Sequence, residues 1–244
     1  MATLTTDALQ QKDNLCGPFQ ASRILRELGY EADEDELAAR AGSVLPDPSD
    51  GSVPPGAESR TDYRVELPSS PPEDSGTAAA PLAEAIEAVG GGDLRCLPIR
   101  GEWTAERVGS LVERGTPPAR LIANVRTGHF WGTRPPFDAL EAELEGREVD
   151  GPPAEWDVGH FCELACLLQG TGGSLVVVRD SYPSFGLAGH HLQPPRAVAK
   201  ALDRGDGREG GVLAVTAREN AQRLEALATE LGLEVGHWDN GTRR

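Results

Sequence analysis

Two apolar stretches on either side of residue 171 constrain the fold of this chain more than any other feature of its sequence. Residues 161–168 and 174–179 each have the length and composition of a β-strand, and the glycine-rich segment 170–173 joins them. This arrangement is typical of a β-hairpin. A third apolar stretch at 120–125 precedes the hairpin. We therefore expect an antiparallel sheet that includes these strands.

Helices are predicted around the hairpin from apolar residues that recur at helical spacing. They cover residues 16–28, 33–41, 78–89, 104–114, 196–202 and 219–231, and further short strands are predicted at 94–99, 211–215 and 234–237. A proline-rich segment at 43–77 and a polar segment at 133–157 predict irregular inserts. The predicted fold class is α+β, in a single domain over residues 1–244 with a C-terminal extension at 184–244.

The charge balance excludes some classes of function. The chain has 23 basic and 39 acidic residues and therefore a net charge of −16. This charge excludes a general nucleic-acid-binding protein, which would need a basic surface, and disfavours binding to anionic membranes. No apolar run approaches the roughly 18 residues of a membrane span, and residues 1–12 lack the features of a signal peptide. We expect a cytoplasmic protein without nucleic-acid or membrane partners, and the oligomeric state stays open.

Cys16 is the first candidate for chemistry because it lies at the predicted start of a helix. Asn14 is a plausible cap for that helix, and Pro18 suits its first turn. Unpaired backbone N–H groups and the helix dipole favour an anion at this end, which lowers the pKa of a thiol. The alternative is that Cys16 is only a small buried apolar residue.

The residues before Cys16 favour catalysis. The run Gln-Gln-Lys-Asp-Asn-Leu-Cys-Gly-Pro at 10–18 resembles the nucleophile segment of papain-like cysteine peptidases. It is most similar to the bacterial branch that trims double-glycine leaders from bacteriocin precursors. In that family a glutamine six positions before the cysteine donates a side-chain N–H to the oxyanion hole, beside the cysteine's own N–H. Gln10 matches that position and Gln11 is the neighbouring alternative, whereas Leu15 departs from the family's aspartate.

His160 is the histidine that best fits a general base. It opens the strand 161–168, and Asp180 follows the returning strand, so that the hairpin brings Asp180 back towards His160. The register does not match fully, and we expect a bulge or a strand twist to close the gap. The order of Gly-His-Phe, strand, turn, strand and aspartate also resembles the leader peptidases, whose third triad member is an aspartate at this place.

The remaining histidines have weaker cases. His129 lies in a second Gly-His-Phe sequence, but no acidic residue returns to it through a hairpin. It is either the competing base or a residue that lines the substrate cleft. His190, His191 and His237 have no partner that the sequence reveals, and we interpret them as solvated loop residues.

No metal or cofactor site is expected. His160, Cys162 and Cys166 carry suitable ligand atoms, but along a strand they span about 20 Å at roughly 3.3 Å per residue and do not converge on one ion. We interpret Cys96, Cys162 and Cys166 as buried apolar residues. Strand alternation predicts Cys162, Leu164, Cys166 and Leu168 on one core-facing side, against the nucleophile helix. The sequence contains no phosphate loop or dinucleotide fingerprint.

The resemblance covers roughly residues 9–183, interrupted by the two inserts. It implies a papain-like fold, with an N-terminal nucleophile helix packed on a small antiparallel sheet. It also implies a cysteine-dependent amide hydrolase, most simply a peptidase that acts on a bacterial peptide or protein through Cys16, His160, Asp180 and Gln10. Two alternatives stay open: an acyltransferase or peptide-modifying enzyme with the same triad, and a non-catalytic peptide-binding protein of this fold.

Overall fold

A computed structural model of the chain describes residues 10–49 and 53–242. Residues 1–9, and with them most of the segment in which we expect no signal peptide, lie outside the described residues. The described helices are α1 (Cys16–Glu27), α2 (Glu34–Arg40), α3 (Ala79–Val89), α4 (Ala105–Gly115), α5 (Phe137–Leu144), α6 (Pro195–Asp203) and α7 (Ala221–Glu230).

The described strands form one large and one very small sheet. They are β1 (Leu45–Pro46), β2 (Ser69–Ser70), β3 (Leu94–Arg100), β4 (Arg120–Arg126), β5 (Gly159–Gln169), β6 (Ser174–Arg179), β7 (His190–Gln193), β8 (Gly211–Ala217) and β9 (Glu234–Val235). Seven of them form a sheet in the order β7-β6-β5-β4-β8-β3-β9. All of its neighbours are antiparallel. The expected α+β class and the central hairpin are confirmed.

The C-terminal segment 184–244 supplies three strands of this sheet. Strand β8 lies between β4 and β3, while β7 and β9 form the two edges. The segment predicted as an extension is thus built into the sheet that carries the hairpin.

Helices cover both faces of the large sheet, so that most of its strands are apolar on both sides. On one face, α1 and α3 pack through residues such as Ile24 and Leu82 against Ile122 and Phe161 of the sheet. On the other face, α4, α6 and α7 pack against the alternate strand residues. This second layer explains why 120–125 reads as a continuous apolar run.

The position of α1 differs from the sequence expectation. The helix packs on the face of β5 that carries Phe161, not on the face of Cys162 and Leu164, which contact the opposite helical layer. The approach is close: a Cβ at Gly17 would lie 2.9 Å from Leu82 and 3.2 Å from the Phe161 ring. A glycine directly after Cys16 therefore allows α1 to lie against the sheet.

A β-bulge in β5 determines which residues share a face. The pairing with β6 slips by one residue at Ala165. If the register near the turn continued, Asp180 would stand opposite Glu163, on the face away from His160. The bulge shifts Asp180 opposite Cys162, on the face of His160. The register correction that the sequence requires is therefore a bulge at this position.

The same bulge makes part of the predicted alternation wrong. Beyond Ala165 the strand presents the opposite set of residues to the core, so Leu167 packs inward and Leu168 is 41% exposed. Cys166 is exposed, whereas Cys96 and Cys162 are buried as expected. A period-two pattern holds only while no residue is inserted.

Three further local expectations need correction. The segment 133–157 contains helix α5 where we expected an irregular insert, and Phe137 at the start of this helix is 78% exposed. A strand, β7, occupies residues that we expected to be loop. Leu15, not Asn14, is the N-cap of α1, and no side chain caps that helix end; Asn14 adopts a positive φ of 63° instead.

Among the described residues, no helix combines the length and the apolar character needed to cross a membrane.

Candidate active site

Cys16 is the first residue of α1 and is half-buried. The loop before it is held by the segment 53–77. The Asp13 carboxylate accepts hydrogen bonds from the Arg60 backbone N–H at 2.9 Å and from the Ser59 hydroxyl at 2.5 Å. The Tyr63 hydroxyl donates to the Asp13 carbonyl at 2.9 Å. The proline-rich insert therefore fixes the loop that positions the cysteine.

His160 and Asp180 form a buried pair beside α1. The His160 Nε2 atom lies 3.2 Å from Asp180 Oδ1, and each side chain is only 1% exposed. The same carboxylate oxygen accepts the backbone N–H groups of Ser181 at 2.7 Å and Tyr182 at 3.1 Å. These three donors fix the carboxylate at the end of β6, where the bulge at Ala165 places it.

The electrostatics of this pair favour a charged aspartate and a protonated histidine. Burial opposes ionisation of Asp180, but the charge and hydrogen bond of His160, together with the nearby His191 imidazole, hold the Asp180 pKa well below its usual range. Burial also opposes protonation of His160, yet Asp180 and a hydrogen bond with Cys16 raise the His160 pKa. Because Nε2 faces Asp180, Nδ1 is left for the Cys16 thiol.

An arginine on α1 connects the cysteine helix to the strand that ends at Asp180. Arg23 donates from Nη1 to the Asp180 carbonyl at 2.9 Å and from Nη2 to the Arg179 carbonyl at 3.2 Å. Its guanidinium also lies 3.4 Å from the fully buried carboxylate of Glu163. Burial lowers the Arg23 pKa to about 10. These contacts fix α1 relative to the hairpin.

Aromatic rings shield the histidine from solvent. Trp156, from the segment 133–157, meets His160 edge-on with ring centroids 5.2 Å apart. Tyr182 stacks on His160 at 6.1 Å with an interplanar angle of 27°. Exclusion of water strengthens the interactions between charges in this region.

Cys16 and His160 both open into one cavity of about 240 Å³. Its lining also includes Gln11, Asn14, Trp156 and Tyr182, and its further charged groups are Arg126, Asp157 and Arg208. The cavity is therefore large enough for a few heavy-atom groups of a peptide beside the thiol.

The structure brings Gln11, and not Gln10, to this cavity. Gln10 does not line it, and its side-chain amide donates to the carbonyl of Glu58. Gln11 is buried; its Oε1 accepts from the Ser181 hydroxyl at 2.5 Å, and its Nε2 donates to the Lys12 carbonyl at 3.2 Å. Of the two glutamines weighed from the sequence, only Gln11 is placed beside Cys16.

The other histidines lie in different environments. His129 is not part of the cavity, and its Nε2 lies 2.8 Å from the Arg204 carbonyl. His190 and His237 are exposed. The expectation for His191 was wrong, because its side chain is buried with Nε2 3.9 Å from Asp180 Oδ2. A four-residue edge strand carries too little pattern to reveal this from sequence.

The other cysteines do not join the site. Burial raises the pKa of both Cys96 and Cys162, so that neither is a ready thiolate. No group of three or more His, Cys, Asp or Glu side chains in the part of the chain that the structure describes is arranged to hold a metal ion.

Comparison with known sequences places the chain in a family without assigning an activity. A family of unknown function, DUF6885, matches residues 1–239. The chain belongs to this family. A search of curated proteins found no match.

The arrangement has the parts that thiol chemistry needs. A thiol at a helix start shares a cavity with an imidazole and raises the pKa of that imidazole, and a buried carboxylate contacts the ring nitrogen Nε2. In this order the imidazole can accept the thiol proton, and the carboxylate stabilises the resulting cation.

Proposed function

We propose that this protein is a cysteine-dependent amide hydrolase of papain-like fold, acting on a peptide or protein. The observation that carries the proposal is that Cys16 and His160 line one cavity while the buried Asp180 carboxylate contacts Nε2 of the same imidazole. The packing of α1 on one face of an antiparallel sheet supports the papain-like assignment. The helical layer on the other face and the seven-stranded sheet are larger than that resemblance implies.

In the proposed reaction, the Cys16 sulfur attacks the carbonyl carbon of a bound amide, and the carbonyl π electrons move to oxygen. His160 takes the thiol proton and gives it to the leaving amine as the C–N bond breaks. Water then attacks the thioester, and His160 accepts a proton from that water and gives it to the Cys16 sulfur as the C–S bond breaks. The products are a carboxylic acid and an amine, and the thiol is regenerated.

The oxyanion is proposed to accept hydrogen bonds from the Cys16 backbone N–H and from Gln11. The Gln11 Nε2 atom carries two N–H groups, of which one donates to the Lys12 carbonyl. The second remains for substrate, while the Ser181 hydroxyl fixes the amide by donating to Oε1. A neutral donor stabilises the oxyanion without neutralising the thiolate.

A simple activated ester tests whether Cys16 forms an acyl-enzyme. With p-nitrophenyl acetate, we expect a burst of nitrophenolate of about one equivalent and an acetyl group on Cys16 by peptide mass spectrometry. The matched control is Cys166→Ser, which removes the exposed cysteine outside the site and should leave the burst unchanged. Absence of the burst, or acetylation that persists in Cys16→Ser, contradicts the proposal.

The acceptor in the second step distinguishes the alternatives. Release of free acetate at a rate independent of added amines supports a hydrolase. Faster turnover with glycine or a short peptide, with an N-acetyl product, indicates the acyltransferase that uses the same triad. A protein that binds peptides but forms no acyl-enzyme is the non-catalytic alternative.

A further inference from the structure

Asp180 contacts a second buried histidine on the side away from His160. His191 lies on β7, and its Nε2 is 3.9 Å from Asp180 Oδ2, whereas His160 contacts Oδ1. Both partners of this second contact are only 1% exposed. The two carboxylate oxygens are thus divided between two imidazoles.

The hydrogen bonds around Gln193 define the tautomer of His191. The backbone N–H of Trp131 donates to Gln193 Oε1 at 2.7 Å, and Gln193 Nε2 donates to the Trp131 carbonyl at 2.9 Å. The amide orientation is therefore fixed, and the second N–H of Nε2 points at His191 Nδ1, 3.0 Å away. Nδ1 is the acceptor, so a neutral His191 carries its proton on Nε2, towards Asp180.

The surroundings of His191 are otherwise mainly apolar. The rings of Phe130 and Phe185 meet it edge-on at centroid distances of 5.7 and 6.2 Å. Among the described residues, Asp180 is the only one with a carboxylate within 4.0 Å of the nitrogen atoms of the His191 ring. Glu155 and His191 both line a second, smaller cavity that also borders Asp180, but the Glu155 carboxylate accepts hydrogen bonds from Thr133.

We propose that His191 is a positioning residue for the catalytic pair. A neutral His191 directs an N–H at Oδ2, which keeps Asp180 ionised and turns Oδ1 towards His160. The series then runs from Trp131 through Gln193, His191 and Asp180 to His160. This role rests on the proposed function, because it concerns the stability of the His160 cation that accompanies a Cys16 thiolate.

Two amide substitutions separate this role from simple packing. His191→Asn keeps an acceptor near the position of Nδ1 for Gln193, but its side chain is too short to reach Asp180. His191→Gln extends an N–H donor to the position of Nε2 but places no acceptor at the position of Nδ1. A third variant, His191→Phe, fills the site with a ring that has no donor.

The experiment measures the rate of Cys16 alkylation by iodoacetamide against pH, in a Cys166→Ser background. We expect the pH midpoint to rise by about one unit in His191→Asn and His191→Phe, with alkylation at pH 6 about tenfold slower, because the buried Asp180 carboxylate loses one of its two imidazole partners. His191→Gln should restore most of the background profile. Thermal unfolding of each variant checks that the fold is kept.

The outcomes distinguish the two proposals. Unchanged profiles in His191→Asn and His191→Phe, or the same shift in His191→Gln as in His191→Asn, overturn the positioning role alone. A background protein whose Cys16 reacts only at the pH of an ordinary thiol overturns the proposed function, and the positioning role with it. If His191→Phe does not fold, the comparison of Asn with Gln decides.

Discussion

The chain contains the tripeptide Gly-His-Phe twice, and the two copies have different environments. His129 follows β4 in a short turn, is half-exposed and contacts a backbone carbonyl. His160 begins β5, is buried and contacts the Asp180 carboxylate. The difference comes from the neighbouring chain: β6 returns beside β5 and delivers Asp180, whereas no carboxylate of the described residues pairs with His129. The tripeptide alone therefore does not determine the role of its histidine, which depends on whether a neighbouring strand places a carboxylate beside the imidazole.

The comparison predicts its largest effect for the histidines themselves. His160→Ala should lower the rate of acylation by p-nitrophenyl acetate about 10³-fold, because the thiol loses its base. His129→Ala removes the other Gly-His-Phe histidine and should change that rate less than about twofold. Burst kinetics of both variants measure this directly. Equal losses in the two variants would contradict the assignment of the base.

Asp180→Asn should have the next largest effect, since the amide keeps the shape but not the charge. We expect acylation to fall about 100-fold and the free energy of unfolding to fall by about 3 kcal/mol at pH 5. The lowered Asp180 pKa stabilises the fold above about pH 3.9, and the raised His160 pKa stabilises it below about pH 6.5.

The pH dependence of that destabilisation tests its cause. The contributions of Asp180 and His160 to the free energy of unfolding are both present between about pH 4 and 6.5. The contribution of His160 is lost as the pH rises towards the raised pKa of His160 in the folded protein. Urea unfolding of the wild type and Asp180→Asn should therefore differ more at pH 5 than at pH 9. A difference that does not depend on pH would indicate that packing alone is lost.

The two glutamines give a smaller, matched contrast. Gln11→Ala should lower the rate of acylation about 30-fold, which is less than the roughly 100-fold minimum typical for loss of one oxyanion donor, because the Cys16 backbone N–H remains as the second donor. Gln10→Ala removes a side chain that contacts the Glu58 carbonyl outside the cavity and should change the rate less than about twofold. A larger loss in Gln10→Ala would restore the position that the family resemblance implies.

The smallest effect is expected at the exposed cysteine. Cys166 lies on the solvent side of β5 beyond the bulge and outside the cavity that Cys16 and His160 line. Cys166→Ser should leave the acylation rate unchanged within experimental error. Peptide mapping after brief alkylation at pH 6 should find Cys16 labelled before Cys166. The reverse order would contradict activation of the Cys16 thiol by His160.

Local pattern predicted the elements that hold the candidate site. The apolar residues of α1 recur at helical spacing, which predicts the helix. The strands β5 and β6 are predicted because each is an apolar run and a glycine-rich turn joins them. The need for a register correction was visible too, since Asp180 and His160 did not match in an ideal hairpin. Its location at Ala165 was not, because a bulge depends on pairing with another strand.

The features that the sequence missed depend on contacts between distant segments. His191 is buried because β7 pairs with β6 at the sheet edge, and four residues carry almost no periodicity. The preference for Gln11 over Gln10 depends on Ser181, which is 170 positions away in the chain. Spacing along the sequence does not report such contacts.

The most direct test of the account is the pH dependence of Cys16 alkylation in Cys166→Ser protein, with and without His160→Ala. We predict that rapid alkylation persists well below pH roughly 8.5, which is the usual pKa of a thiol. In His160→Ala we predict that this reactivity at low pH is lost. A low-pH rate that is absent from the start, or that His160→Ala leaves unchanged, would contradict the thiol–imidazole pair on which the proposed function rests.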